Sequence, residues 1–282
     1  MLLQQLPLRS RVISSCSNQI PQTNTNLLSS SHSTRHVRFK ISHSLNLRYL
    51  RNLGIVVTPE GSERTPISPA SVDRLLSVVN FLKSKGFLET HFPRLSFLCP
   101  GMFHTDIDHL ESVFTFLSDE VGASPEESCG LVYRCPKILL SSTESCLRPA
   151  LHLLQKVGVK NLNSPTTLNA HLLNTRVEKL LETIWYLESL GFSEQESATI
   201  CARLPAIFGY SVDNNLTPKF EYFVMEMERS LEELKAFPQY FAFSLEKRIV
   251  PRHLHLKKRG ILKVPLDRML VWSDQRFYEK WK

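Results

Sequence analysis

The residues of this 282-residue chain with chemistry to offer are six cysteines, one knot of His and Asp, and a recurring set of Arg and Lys. The cysteines stand at positions 16, 99, 129, 135, 146 and 201. None form a C-x2-C pair and no His lies at zinc-finger distance, so neither a zinc site nor a disulfide scaffold is expected. Cys99, Cys135 and Cys201 fall in apolar segments and read as small buried hydrophobes. The stretch His104-Thr105-Asp106-Ile107-Asp108-His109 gathers possible metal ligands, but it falls where a helix begins, and Asp there reads as capping. His253 and His255 are two apart and diverge on a helix. The sequence has no phosphate loop, G-x-S-x-G elbow, H-E-x-x-H helix or zinc-deaminase signature. We therefore expect no catalysis, no cofactor and no metal.

The cations point to phosphate recognition. Arg134 and Arg203 each stand two residues before a proline, with Lys137 just after the first of these. Arg148, Lys219 and Arg252 flank Pro149, Pro218 and Pro251. Lys247, Arg248, Arg252, Lys257, Lys258 and Arg259 form a denser C-terminal cluster. If a repeat stacks equivalent slots in line, these side chains form a basic stripe fit for a phosphate backbone. The competing readings are ordinary solvated charges along the chain and a polar cap on the last repeat.

Charge is distributed unevenly. The chain carries 34 Lys and Arg against 27 Asp and Glu, a net +7, yet residues 1–58 hold seven bases and no acid. Residues 246–282 hold eleven bases and four acids, and the middle, 59–245, is net acidic. Residues 1–43 are Arg-containing, rich in Ser and Thr and free of acid, the composition of an organellar transit peptide, more chloroplast than mitochondrion in its Ser/Thr content. No apolar run is long enough for a membrane-spanning helix, so a soluble protein is expected.

The elements that must position these cations are written in glycine and proline. Gly54, Gly86, Gly122, Gly158 and Gly191 follow at intervals of 32, 36, 36 and 33, and Gly260 lies 69 further on, two more periods. Pro100, Pro136 and Pro205 each lie 14 residues after a glycine, and Pro149 and Pro251 lie nine before one. Pro218 fits the second series with Met227 in the glycine slot, while Leu172 stands where a further +14 proline is due.

Between these marks apolar residues recur at helical spacing, as in Val177, Leu180, Leu181, Ile184, Leu187 and Leu190. Each glycine suits a left-handed helix end. Ser124 with Glu127, Ser193 with Glu196 and Ser230 with Glu233 predict capping boxes on the following helix, the last of which is one turn short. Pro125 suits a first helical turn. The aromatics Phe114, Phe116, Trp185, Tyr186, Phe220, Tyr222 and Phe223 read as core. The unit is helix, glycine turn, capped helix, proline stop. About six such units stacked over residues 44–265 predict one all-α domain, an α-solenoid of two-helix repeats, closed by a basic C-terminal cap over 266–282.

The stretches Phe81-Leu82-Lys83-Ser84-Lys85-Gly86-Phe87, Tyr186-Leu187-Glu188-Ser189-Leu190-Gly191-Phe192, Leu131-Val132-Tyr133-Arg134-Cys135-Pro136 and Ile200-Cys201-Ala202-Arg203-Leu204-Pro205 resemble the mTERF family of organellar transcription termination factor-like proteins. So does the end, from Pro251 to Ile261 and from Ser273 to Phe277. The resemblance implies a superhelix with a short 3₁₀ turn in each unit and import into an organelle. It also implies binding of double-stranded DNA or structured RNA, in transcription termination or regulation or in RNA maturation. Further partners would be organellar transcription or ribosome-assembly proteins, and the protein would act as a monomer. The alternative is a helical scaffold that binds proteins in an organellar gene-expression complex.

Overall fold

The computed structural model describes residues 43–55, 68–261 and 263–282. The expected transit peptide, with Cys16, lies outside them but for its last residue. The described residues belong to one compact body, His43–Lys282, and form helices and turns only, without a strand. After α1, over residues 43–52, first and second helices alternate. They are α2 (Pro69–Ser84) with α3 (Phe92–Leu98), α4 (Ile107–Thr115) with α5 (Pro125–Arg134), and α6 (Arg148–Val157) with α7 (Thr167–Leu173). Next come α8 (Val177–Ser189) with α9 (Glu194–Arg203), α10 (Thr217–Glu221) with α11 (Leu231–Ala236), and α12 (Val250–Lys258) with α13 (Leu266–Leu270). The terminal α14 (Asp274–Lys280) follows. This is the expected all-α solenoid.

The glycine period has a backbone cause. Gly54, Gly86, Gly122, Gly158, Gly191 and Gly260 all have positive φ, from 69° to 102°, a region that costs a residue with a Cβ about 1 kcal/mol or more. At Gly86 the turn closes by two bonds, Phe87 N–H to the Leu82 carbonyl at 3.1 Å and Gly86 N–H to Lys83 at 3.0 Å, which satisfy carbonyls the helix leaves free. The residue four before the glycine is a core rung: Leu50, Leu82, Leu154, Leu187 and Leu256 are at most 3% exposed. Burying each contributes roughly 1.5–3 kcal/mol.

Met227 is not the glycine equivalent. A π turn at Tyr222–Glu226 puts one extra residue into the helix end, so Met227 keeps φ −87° and the left-handed position passes to Glu228, with φ 51°. The unit of α4 ends the same way, on a π turn at Phe116–Glu120, with Ala123 N–H reaching the Leu117 carbonyl at 2.9 Å.

Both long capping boxes form. Ser124 Oγ accepts from Glu127 N–H at 3.1 Å and the Glu127 carboxylate from Ser124 N–H at 2.9 Å, and Ser193 and Glu196 do the same. The third does not, because the Ser230 side chain caps nothing. In its unit Arg229 follows the left-handed residue, where Phe87, Ala123, Val159 and Phe192 are buried in the others. Arg229 pairs with Glu233 and donates to the Val264 carbonyl at 2.6 Å, taking the carboxylate that the box needs.

The prolines do more than stop helices. Pro100, Pro136 and Pro205, and with them Pro238, each open a 3₁₀ turn. Proline keeps its predecessor out of the helical region, and Cys99, Cys135, Leu204 and Phe237 share φ between −150° and −132°. Each turn then sends a pair inward, Met102 with Phe103, Ile138 with Leu139, Ile207 with Phe208 and Tyr240 with Phe241, none above 2% exposed. The unit without its proline at 172 has no such turn, and α7 runs through Leu172 to Leu173. Among the expected core aromatics Phe114, Phe116 and Phe223 are buried and Tyr186, Phe220 and Tyr222 pack against the core. Trp185 is the exception, 60% exposed on the outer side of α8.

Candidate nucleic-acid interface

In the four units with a proline turn, the second helix delivers its C-terminus and 3₁₀ turn to one edge of the solenoid. The turn at Pro100 packs on the one at Pro136, and the turn at Pro205 packs on α7 and on the turn at Pro238. Ser141 joins the two halves through a 2.6 Å bond to Asn174. The sequence along this edge is free of acid in each of these four units, over residues 90–105, 128–143, 197–212 and 234–245. Arg94, Arg134, Lys137 and Arg203 are exposed on it. Arg176, just before α8, is exposed too. Arg94 and Arg176 carry no repeat signature and were not among the sequence candidates; the acid-free window could have found Arg94, whereas Arg176 lies outside these windows.

The candidates differ in what they already hold. Arg134 Nη1 bonds the Gly130 carbonyl of its own helix at 3.0 Å. Arg203 donates to the Lys235 and Ala236 carbonyls at the end of α11, 2.8 Å each, so part of its donor set is committed to the next unit. Arg148 is half-buried between Glu120 and Glu144. Its hydrogen bond to Glu120 holds that carboxyl below the usual range. Lys137 makes no ion pair among the described residues.

Two candidates are not surface groups at all. Lys219 is 5% exposed and donates to Asn215 Oδ1 and the Phe241 carbonyl, 2.7 Å each. Burial pushes its pKa down. Arg252 is 1% exposed and bonds the Met269 carbonyl at 2.6 Å, the Trp272 carbonyl at 2.8 Å and Asp274 at 2.5 Å, over the Phe277 ring. Half-buried Arg248 does similar work, on the Leu270 and Trp272 carbonyls at 2.7 and 2.6 Å. Lys219 and Arg252 are thus enclosed and Arg248 is committed in part to backbone carbonyls: a charge can be buried when its donors find acceptors, and the buried nitrogens find them here except Arg252 Nε.

What is left of the C-terminal cluster is exposed Lys247, Lys257, Lys258 and Arg259. The last three crowd the end of α12, where cations offset the negative end of the helix dipole, and Arg259 also reaches His255 Nδ1 at 3.2 Å. None of the four has a carboxylate at ion-pair distance among the described residues. Nearby, Tyr222 and His253 share a 2.8 Å hydrogen bond. Burial pushes the His253 pKa down, helped by Lys257.

At the His104–His109 knot Asp106 takes the N-cap position of α4, but its side chain caps no backbone N–H. No group of three or more His, Cys, Asp or Glu is placed to hold a metal among the described residues. None of the described helices is long and apolar enough to cross a membrane.

The chain is similar to curated plant proteins. It is 33% identical over 130 residues to the transcription termination factor MTERF2, chloroplastic, of Arabidopsis thaliana, covering 45% of this chain and 20% of that protein. It is 35% identical over 103 residues to the transcription termination factor MTERF4, chloroplastic, of Oryza sativa subsp. japonica, covering 36% and 20%. A longer match, 24% identical over 294 residues, links it to MTERF8, chloroplastic, of Arabidopsis thaliana, covering 84% of this chain and 58% of that one. The chain thus spans less than two thirds of the length of these relatives. The family model described as mTERF matches residues 66–166 and 129–278, which takes in every complete two-helix unit described above, and the chain belongs to the mTERF family.

Proposed function

We propose that this protein binds nucleic acid in the chloroplast and regulates organellar gene expression there, in transcription termination or regulation or in RNA maturation, without catalysing a reaction. The observation that carries the reading is the unpaired set Lys247, Lys257, Lys258 and Arg259 at the C-terminal end of the solenoid. A cap needs polarity but not one sign of charge; exposed Lys83 and Lys156 have carboxylate partners, and what sets this set apart from other unpaired cations such as Lys137 is its density at the end of one helix. Arg134 on the acid-free edge extends the surface. The chloroplastic names of the similar proteins and the acid-free, Ser/Thr-rich N-terminal sequence support the compartment.

Contacts to phosphate release counterions, so log K falls with log salt by about 0.9 per phosphate neutralised on duplex DNA. Four cations give a slope of about −3.6 on that rule. Measured by fluorescence anisotropy on a duplex, the quadruple variant Lys247→Gln, Lys257→Gln, Lys258→Gln, Arg259→Gln should lose most of that slope with its circular dichroism unchanged. An unaltered slope would remove this surface from the proposal. Parallel titrations with structured RNA decide the polymer. Sequencing of the nucleic acid co-purified from plastids and from mitochondria decides target and compartment.

A further inference from the structure

The acid-free edge carries a groove that differs from the rest of it. It is a cleft of about 430 Å³ between the turns at Pro100 and Pro136 and the start of α8. Leu98 and Leu140 form its floor, Lys137 and Arg176 supply two cations, and Ser141 and Asn174 supply polar groups. The volume lies in the range of small-ligand sites.

The repeat shows why the floor is unusual. Leu98 stands two residues before its proline, the slot that holds Arg134 and Arg203 in later units. Phe97 stands in the slot of Tyr133, which is half-buried under the Arg94 guanidinium at 5.1 Å, but Phe97 is 85% exposed. Leu98 is 37% and Leu140 46% exposed, and a Cβ on Gly101 would sit 3.4 Å from Leu140. This unit therefore carries an aliphatic residue where Arg134 and Arg203 stand, as the unit of Pro238 does with Ala236, but here the side chain is large and the apolar patch lies in the open, a feature that marks interaction surfaces.

We propose that this groove docks an extended peptide segment of a partner protein, one that places an aliphatic side chain on Leu98 and Leu140 and adjacent carboxylates on Lys137 and Arg176. Charge complementarity selects the acidic partner, since no carboxylate lines the groove. Its chemistry selects peptide over nucleic acid. A phosphate backbone would meet the two cations but leave Leu98 and Leu140 in water, whereas a leucine-like side chain flanked by Asp or Glu covers both and pairs with the cations. The site is separate from the exposed basic end of α12.

Cys146 lines the groove and is partly accessible, which makes it a reporter, while half-buried Cys129 lies outside the groove and serves as internal control. The probe is a phage-displayed random heptapeptide library, panned on the full chain with Lys137→Glu/Arg176→Glu as counter-selection. The expected result is enrichment of peptides that join aliphatic residues to Asp or Glu. The winning peptide should slow alkylation of Cys146 but not of Cys129, and Lys137→Glu or Leu98→Asp should each weaken it about tenfold or more. Leu98 is partly exposed, and Leu140→Ser provides a second floor variant should Leu98→Asp disturb folding. No enrichment, or winners of basic composition, would overturn the proposal. So would an oligonucleotide that protects Cys146 where the peptides do not, which would return the groove to the nucleic-acid surface.

Discussion

Replacing Arg252 by Met should unfasten the C-terminal helices rather than weaken ligand binding directly. Methionine keeps much of the aliphatic volume and removes the donors, leaving the Met269 and Trp272 carbonyls without the bonds they have at 2.6 and 2.8 Å and Asp274 without its partner. Hydrogen bonds from a charged donor contribute about 1.5–3 kcal/mol each, so the two carbonyl bonds set a scale of about 3–6 kcal/mol, while Asp274, its side chain 72% exposed, adds little once released to water. We adopt about 3–5 kcal/mol, because the carbonyls regain some water once the cap loosens. Urea denaturation measures the loss, and hydrogen exchange locates it. Protection should vanish across Asp274–Lys280 and persist across Val177–Ser189. The pH dependence has a sign. Arg252 holds the Asp274 carboxyl below its ordinary value, so the contribution of the pair is present above about pH 4, the unfolded carboxyl's range, and is lost as pH falls through the depressed folded value. A stability change under about 1 kcal/mol with α14 still protected would refute the assignment of Arg252 as an internal clamp. The same reasoning removes Arg248 and Arg252 from any charge-reversal test of ligand binding, since a variant carrying them would lose affinity by losing its cap.

Other perturbations separate the elements that formed from those that did not. Ser124→Ala and Ser193→Ala should each cost about 1 kcal/mol in chemical denaturation, whereas Ser230→Ala should be near neutral, because only the first two side chains cap a helix. Glu228→Gly should stabilise by about 0.5–1 kcal/mol by relieving a positive φ, while Met227→Gly should destabilise by more than about 1 kcal/mol, since it deletes a side chain only 7% exposed; the reverse order would place the left-handed residue back at 227. In a Cys16→Ser background, Ellman's reagent at pH 8 should react with Cys129 and Cys146 in the native protein and reach Cys99, Cys135 and Cys201 only on unfolding. Burial pushes the Cys201 thiol up to about 12. That thiol thus favours the folded state until the unfolded chain begins to ionise, and its contribution is lost as pH rises toward the folded value; rapid native labelling of Cys201 would contradict its burial.

The parts of the fold that could be read from sequence are those where one backbone state admits few residue types. Positive φ selects glycine, a pre-proline residue is barred from the helix, and a serine with a glutamate three residues on can close two bonds at once; these rules located five of the six left-handed helix ends beyond α1, the sixth being at Glu228, and both long caps. They failed where a side chain from elsewhere intervened. The extra residue of the π turn at Tyr222–Glu226 leaves no mark in composition, and Arg229 took the carboxylate meant for Ser230. The arginines fail for a different reason. Every second helix ends with carbonyls that have no helical partner, and in a stack those ends meet the neighbouring unit. Arg203 answers the end of α11, and Arg248 and Arg252 answer the end of α13. The recurring slots thus do unlike work: Arg203 bonds the second helix of the next unit, Arg134 its own helix, and Arg252 the second helix of its own unit. Recurrence marks a ligand-facing stripe only for side chains whose donors remain free, a condition met at the end of α12 and by Lys137, and at the proline slots only in part, by Arg134.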